Sequence, residues 1–593
     1  MWLIKHMPSS LVTGAAILDM QIGPMNTRCC FFHTFKATDS SLTSKLPRIM
    51  EPPTKRKRLR IDDDGRTTAG TSTPRSLSHP VSPPPKRRNR PQSTTPTENP
   101  QLPTEPASSN SASTEKRTFR SPFQLTWIRD LPDEANTDAV TLGDILGDPL
   151  IAECWEFNYL HDIDFLLSHF DPDVRQLVKV HLVHGFWKKE DPSRLMLQEQ
   201  AECHKNVTLH CAFMPEMFGT HHSKMLILLR HDDTAQVIIH TANMIARDWT
   251  NMTQSVWRSP LLPLLKSPQS RGETGRVPEM GSGEKFKIDL LNYLREYDRR
   301  RSVCRALVEK LRHYDFSAVR GALVASVPGR HNIHDDSKTR WGWAGLKQAL
   351  RNVPVQEGKA EIVVQISSIA TLGPTDTWLK RSLFDSLKVS KYAAKDEVSF
   401  KVVFPTPDEI RRSLDGYESG GSIHTKIQSA QQAKQLLYLK PVFCHWANDA
   451  PRGRDLEPGS VVQEAGRKRA APHIKTYVRY GEKSIDWALT TSANLSKQAW
   501  GEAVSGSGEV RIASWEIGVL VWPSLFDEKA RMVGTFQKDT PSGDEEGWDA
   551  ENPIVGLRIP YNLPLQSYGA DEKPWVATTS YTEPDWQGRI WEG

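Results

Sequence analysis

The stretch GTHHSKMLILLRHDDTAQVIIHTAN, residues 219 to 243, places two histidines and a lysine at the mouth of an apolar run. MLILL and QVIIH have strand composition, and HDDT between them carries turn residues, so the segment reads as a β-hairpin. His222 and Lys224 are two apart and leave the same face of an extended chain. Folding the hairpin about its midpoint, between Asp233 and Thr234, sets Asn243 opposite Lys224. An imidazole, an ammonium and a carboxamide are then expected to share a patch at the open end.

A second copy occupies residues 472 to 494, PHIKTYVRYGEKSIDWALTTSAN. His473 and Lys475 are again two apart, and Asn494 follows its lysine by nineteen positions, as Asn243 follows Lys224. The turn falls in GEKSID, the copies end in the matching words HTAN and TSAN, and each is followed closely by a tryptophan. Self-similarity of this kind marks an internal repeat. His424-Thr425-Lys426 also spells His-x-Lys, but the residue nineteen after that lysine is His445 and no strand-turn-strand pattern follows, so it reads as incidental.

Two lysines and two carboxamides converging on one point would hold the oxygens of a phosphate while charge develops on them. Of two histidines, one suits attack on phosphorus as a neutral nucleophile, and the other, protonated, suits protonation of the leaving oxygen. This chemistry requires no metal and no other cofactor. Neither repeat is surrounded by the carboxylates that a two-metal phosphodiesterase uses as ligands.

At these residues, in GTHHSKMLILL with HTAN and APHIKTYVRY with TSANLSKQAWG, the chain resembles the tyrosyl-DNA phosphodiesterase family of the phospholipase D superfamily. The resemblance runs from about Ser121 to the C-terminus. Phospholipases and nucleases of that superfamily carry HxKxxxxD, whereas here the fifth residue after Lys224 is Leu229 and the fifth after Lys475 is Tyr480. The resemblance implies an α/β fold of two pseudo-equivalent domains of mixed sheets flanked by helices, 121–331 and 332–593, with the active site at their interface. It implies hydrolysis of a 3′-phosphotyrosyl bond between DNA and a topoisomerase-derived peptide, through a phosphohistidine on His222, with His473 as acid and then base. Lys224, Lys475, Asn243 and Asn494 match its phosphate-binding set. Gln254 and Glu516 match supporting residues that hydrogen-bond the histidines, with the pairing left open. Phe218 matches an aromatic residue that stacks on single-stranded DNA, and Tyr159, Ser367, Ser368, Ser422 and Trp575 match positions lining the substrate groove. The basic run Arg467-Lys468-Arg469 is expected to touch DNA phosphates or to be merely solvated. A lipid phosphodiesterase or other phospholipase D-like nuclease is the alternative, and a non-catalytic DNA-binding scaffold would have no need of two complete sets.

The rest of the chain frames this site. At 593 residues, 38% hydrophobic, with mean hydropathy −0.51, it has room for two or three domains. No apolar run approaches the ~20 residues that span a bilayer, so no membrane partner is expected, and a monomer is. Seven scattered cysteines, of which only Cys29 and Cys30 are adjacent, form neither a disulfide framework nor a zinc motif. The net charge of +5 is uneven: residues 1–120 hold nineteen Lys and Arg against nine Asp and Glu, which leaves the remainder acidic. That Ser/Thr/Pro-rich tail cannot bury enough apolar surface to order itself. Its basic runs, Lys55 to Arg60 and Lys86 to Arg90, resemble nuclear import signals or a loose nucleic-acid tether, although the acid-poor start also leaves an organelle-targeting reading open. Met50, directly before the basic segment, is a possible alternative start. Beyond the tail, helix-period segments at 286–300 and 303–314 alternate with strand-like runs at 321–327, 361–368 and 398–404. Segments 267–284 and 450–471 read as polar insertions.

Overall fold

A computed structural model describes residues 117–266, 278–335, 339–392, 397–449, 461–541 and 552–593. The basic runs of the tail, and most of the two expected insertions, lie outside the described residues. Part of their described residues is packed: Gly283 is buried at the start of the helix Gly283–Glu296, and Ala470 and Ala471 are buried, while Val461 is exposed.

Both expected hairpins are present. Met225–Arg230 pairs antiparallel with Thr234–His240, and Thr476–Tyr480 with Ile485–Thr491. Their apolar runs are unbroken because both faces of each strand are covered. In the first hairpin Ile227, Val237 and Ile239 enter one hydrophobic cluster, while Leu226, Leu228 and Ile238 enter another on the opposite face. Each such side chain contributes roughly 1.5–3 kcal/mol by leaving water.

The register differs from the expected one. His240 N–H donates to the Lys224 carbonyl at 3.1 Å, and Thr491 N–H to that of Lys475 at 3.2 Å, so each asparagine lies three residues beyond the partner of its lysine. The first turn is tighter and earlier than a midpoint fold suggests, with Asp233 held at φ 59°. Both copies share the offset, and their equivalence is therefore kept.

The repeat extends through the sheets. In an eight-stranded sheet the first hairpin is flanked by Ile151–Phe157 (antiparallel), followed by Lys179–His184 and Val207–Cys211 in parallel, with Ser255–Arg258 on its other side. In a ten-stranded sheet the second hairpin is flanked by Lys359–Gln365 (antiparallel), followed by Glu397–Val403 and Phe443–Cys444 in parallel, with Glu516–Val521 opposite. Orders and directions match strand for strand. The ten-stranded sheet also takes in Ala322–Ser326, paired with Glu516–Val521, and Thr118–Phe119, paired with Ile554–Arg558. Among the described residues no helix is long and apolar enough to cross a membrane. The helix read at 286–300 spans Gly283–Glu296, capped by the Ser282 hydroxyl, and buries Phe286, Leu290, Tyr293 and Leu294 along one stripe. The helix read at 303–314 spans Arg305–Leu311.

The two halves are tied where His222 emerges. Trp515 N–H donates to the Thr220 carbonyl at 2.9 Å, and His222 N–H donates to the Trp515 carbonyl at 3.0 Å. Gly219 permits this approach, since a β-carbon there would lie 1.9 Å from the Ala513 carbonyl oxygen. Gly219→Ala must displace backbone, at about 1–3 kcal/mol. It should lower the thermal midpoint and impair catalysis together, whereas Gly506→Ala, where nothing lies within 4 Å, should do neither. Thermal melts and turnover of the two variants check this.

Three buried imidazoles stand in or beside the strands of the first sheet: His184, His221 and His240. His221 bridges the Asn158 carbonyl at 2.7 Å and the Tyr297 hydroxyl at 2.9 Å. His184 Nδ1 accepts from Phe186 N–H at 3.1 Å, and His240, at the end of its strand, is fully buried. Burial pushes all three down to about 3. Each is neutral when folded and, with an ordinary value near ~6.5, takes up a proton on unfolding in acid. Their contribution is therefore complete above that value and is lost as pH falls toward 3, at about 1.4 kcal/mol per pH unit for each histidine. Denaturant titrations at pH 7, 6 and 5 should show stability declining, and His240→Leu should flatten the decline.

Candidate active site

The open ends of the two hairpins carry the paired sets. His222 and His473 precede their strands, and each lysine turns back so that its Nζ donates to the carbonyl of its own histidine: Lys224 to His222 at 3.1 Å, Lys475 to His473. Both lysines are wholly buried. Burial pushes Lys224 down to about 8, against the pull of Glu516, Asp248 and Glu156. Burial and then the charge of Lys224 push Lys475 well below the usual lysine range. Two ammonium groups felt by each other in a dry site make strong anion attractors.

The structure pairs each histidine with its support. His222 Nδ1 lies 2.9 Å from Glu516 Oε2, and that oxygen also accepts from the Ser492 hydroxyl at 2.5 Å. Burial raises Glu516, but His222, Ser492 and Lys224 outweigh it and hold the carboxyl below its ordinary range. An ionised Glu516 only accepts, so Nδ1 of His222 carries the proton and Nε2 presents a lone pair. Burial, with Lys224 and Lys475, keeps this imidazole below its usual value in spite of Glu516. His473 Nδ1 lies 3.1 Å from Gln254 Nε2 and 3.2 Å from Asp248 Oδ2. Burial and then the nearby cations depress His473 well below the ordinary value.

Gln254 and Glu516 are equivalent in the repeat, each just ahead of or at the start of the strand flanking its hairpin. Thr241 Oγ donates to Gln254 Oε1 at 2.8 Å and accepts from Ser255 N–H at 2.9 Å. Ser492 Oγ donates to Glu516 and accepts from Ile517 N–H at 3.0 Å. Each support reaches across to the histidine of the other half.

The carboxamides differ. Asn243 aims its backbone N–H and its Nδ2 at Asp248 Oδ2, at 2.7 and 3.0 Å, and so fixes the carboxylate that faces His473. Asn494 Oδ1 accepts from the backbone N–H groups of Ser367 and Ser368 at 3.1 and 2.9 Å, which leaves its amide nitrogen without a protein partner among the described residues. Ser367 and Ser368 thus orient Asn494. Tyr159 is half-buried, with its ring 5.8 Å from that of His222. Phe218 is 77% exposed, which excludes a core role and leaves it available for stacking. Ser422 is buried at the end of the turn Gly416–Ser422.

Three expectations are corrected. Trp575 is fully buried, its indole N–H shared between the Gly420 and Ile423 carbonyls at 3.2 and 2.9 Å, so it supports that turn from beneath and does not line a groove. Arg467 is also fully buried and donates to the Thr126 carbonyl at 2.9 Å, out of reach of DNA. Arg469 is paired with Asp449 at 2.5 Å and Lys468 with Glu464 at 3.7 Å. His424 is not incidental. Its backbone pairs with Ser367 and Ile369 at 2.9 and 2.8 Å, and its half-buried ring is pushed down to about 4 by burial and by Lys426, Arg247, Lys475 and His222.

Reading the motifs alone misses Asp248, which no spacing rule within the repeat requires. It also misses Thr241 and Ser492, although these are the second letters of the matching words HTAN and TSAN.

A model of the tyrosyl-DNA phosphodiesterase family matches residues 122–569. A probable tyrosyl-DNA phosphodiesterase of Schizosaccharomyces pombe is 31% identical over 542 residues, covering 79% of this chain and 95% of the relative. Tyrosyl-DNA phosphodiesterase 1 of Drosophila melanogaster is 31% identical over 470 residues, covering 76% of this chain and 73% of the relative. The crystal structure of the yeast tyrosyl-DNA phosphodiesterase superposes with a TM-score of 0.54 at 21% identity, covering 77% of this chain and 98% of that one, and shares the fold. With both sets of His, Lys and Asn assembled and the match spanning nearly all of the described residues, the chain belongs to the tyrosyl-DNA phosphodiesterase family of phosphodiester hydrolases.

Proposed function

We propose that this DNA-repair phosphodiesterase hydrolyses the bond between a DNA 3′ phosphate and a tyrosine, as in a peptide left by a stalled topoisomerase, through a covalent phosphohistidine. The observation that carries the reading is the crossed support: Glu516 prepares His222 as a neutral nucleophile, while Gln254 and Asp248 hold His473 beside the same two lysines.

In the first step Nε2 of His222 attacks phosphorus, the bond to the tyrosyl oxygen breaks, and a proton from His473 goes to that oxygen. In the second step His473 takes a proton from water, the resulting hydroxide oxygen attacks phosphorus, and the bond to His222 breaks, leaving a 3′ phosphate and free imidazole. His473 is depressed without substrate because burial and cations disfavour its charge. An arriving phosphodiester anion offsets Lys224 and Lys475, so that Asp248 can stabilise the imidazolium. Lys224, Lys475 and Asn494 supply donors for the charge that develops on the phosphoryl oxygens, the part a divalent ion plays elsewhere. Phe218 and Tyr159 fit the bases of single-stranded DNA, a contact of ~1–3 kcal/mol per base.

We divide the ordered chain at 331/332 into two halves that act as one monomer. The tail, residues 1–120, serves as a nuclear address or tether.

Because lysines and a carboxamide provide the charge stabilisation, cleavage of a 3′-phosphotyrosyl oligonucleotide should persist in excess EDTA. Loss of activity that Mg²⁺ restores would contradict the mechanism.

The histidines should separate by leaving group. A tyrosine leaves as a phenol of pKa ~10 and needs a proton, whereas a nitrophenol needs little help. His473→Ala should give a burst of nitrophenol and then stall with DNA attached to the protein, and His222→Ala should give neither burst nor adduct. Burst kinetics alongside a denaturing gel test this, and equal impairment on both phenols with no adduct would reverse the assignment.

A further inference from the structure

The short helix Ala246–Thr250 follows the first repeat and carries Arg247 immediately before Asp248. Arg247 is half-buried, its Nε is sealed from solvent, and its guanidinium makes no hydrogen bond or ion pair among the described residues. The neighbouring carboxylate directs Oδ2 at Asn243 and His473 instead. A guanidinium whose donors have no protein partner among the described residues is free to offer them to an anion. Nη1 of Arg247 lies 3.3 Å from where a β-carbon on Gly421 would stand, and Trp591 Cη2 lies 4.0 Å from the same point, so the missing side chain at Gly421 lets the guanidinium lie close against this turn. Arg247 directly precedes Asp248, whose Oδ2 lies 3.2 Å from His473 Nδ1, so the guanidinium stands near the reaction centre.

In-line displacement decides which part of the substrate passes there. The leaving group departs opposite the nucleophile, on the side of the acid. Arg247 adjoins Asp248, which faces His473, whereas the aromatic Tyr159 lies against His222 and Phe218 precedes it. DNA bases therefore belong to the His222 side and the tyrosyl peptide to the Arg247 side.

We propose that Arg247, beside Gly421, is a specificity determinant that binds a carboxylate on the peptide flanking the adducted tyrosine. This rests on the phosphotyrosyl reading above. The bond is a charge-assisted hydrogen bond, formed where water is partly excluded.

The test uses the full chain and 3′-phosphotyrosyl oligonucleotides whose short peptides carry Asp, Ala or Lys beside the tyrosine. Wild type should show kcat/KM about tenfold higher for the Asp peptide than for the Ala peptide. Arg247→Met should bring that ratio close to one, and Arg247→Glu should turn the preference toward the Lys peptide. Activity on the Ala peptide shows that each variant is folded. A wild-type ratio near one, or a ratio that Arg247→Met leaves in place, would overturn the proposal. So would a defect that follows oligonucleotide length and ignores peptide charge, which would assign Arg247 to a DNA phosphate. If wild type cleaves none of the three peptides, the phosphotyrosyl reading itself fails and this inference falls with it.

Discussion

Two ammonium groups, Lys224 and Lys475, are withdrawn from water at one point, and most of the site answers that cost. Burial depresses both, yet among the described residues neither has a carboxylate as a direct hydrogen-bond partner. Each instead touches a backbone carbonyl, while Glu516 and Asp248 act on them through space and are bonded to the histidines. A carboxylate placed directly on a lysine would neutralise it before substrate arrived. Held at one remove, the carboxylates make the charges tolerable and leave them unquenched, so the missing negative charge is that of a ligand.

The crossed supports make this arrangement a property of the pair of hairpins and of neither alone. A single half would contain His222 without Glu516, or His473 without Gln254 and Asp248. The equivalent residues differ: glutamate meets His222 Nδ1 directly, while His473 Nδ1 is shared between the neutral Gln254 and the carboxyl of Asp248, which Asn243 holds in place. Near-symmetry in the backbone thus carries different surroundings for the two imidazoles.

Much of this was legible in the chain because the repeat is local. His222, Lys224 and Asn243 lie within one hairpin, and so do their counterparts, so spacing alone paired them. The strand register was misjudged by a midpoint fold because the asparagines stand beyond the last ladder bonds, where the chain turns toward Asp248 or toward Ser367. Partners that come from elsewhere left weaker marks. Glu516 and Gln254 were found by resemblance, but their pairing depends on how two sheets meet. Trp575 matches a groove position by resemblance and Arg467 looks exposed by its polar, basic surroundings, and tertiary packing buries both. His424 was set aside because its own motif is incomplete, although a bridge to Ser368 brings it to the site.

The ten-stranded sheet closes with Thr118–Phe119 lying parallel to Ile554–Arg558, the first described strand against the last. A ribosome adding ~5–20 residues per second separates the emergence of those two strands by tens of seconds. Throughout that interval the opening strand has no ladder partner and its neighbours keep an unfinished edge, the kind of surface that chaperones shield. His222 gains its Glu516 partner only after a further 294 residues have been made. A chain halted between the two therefore lacks the crossed pairing on which the proposed activity rests.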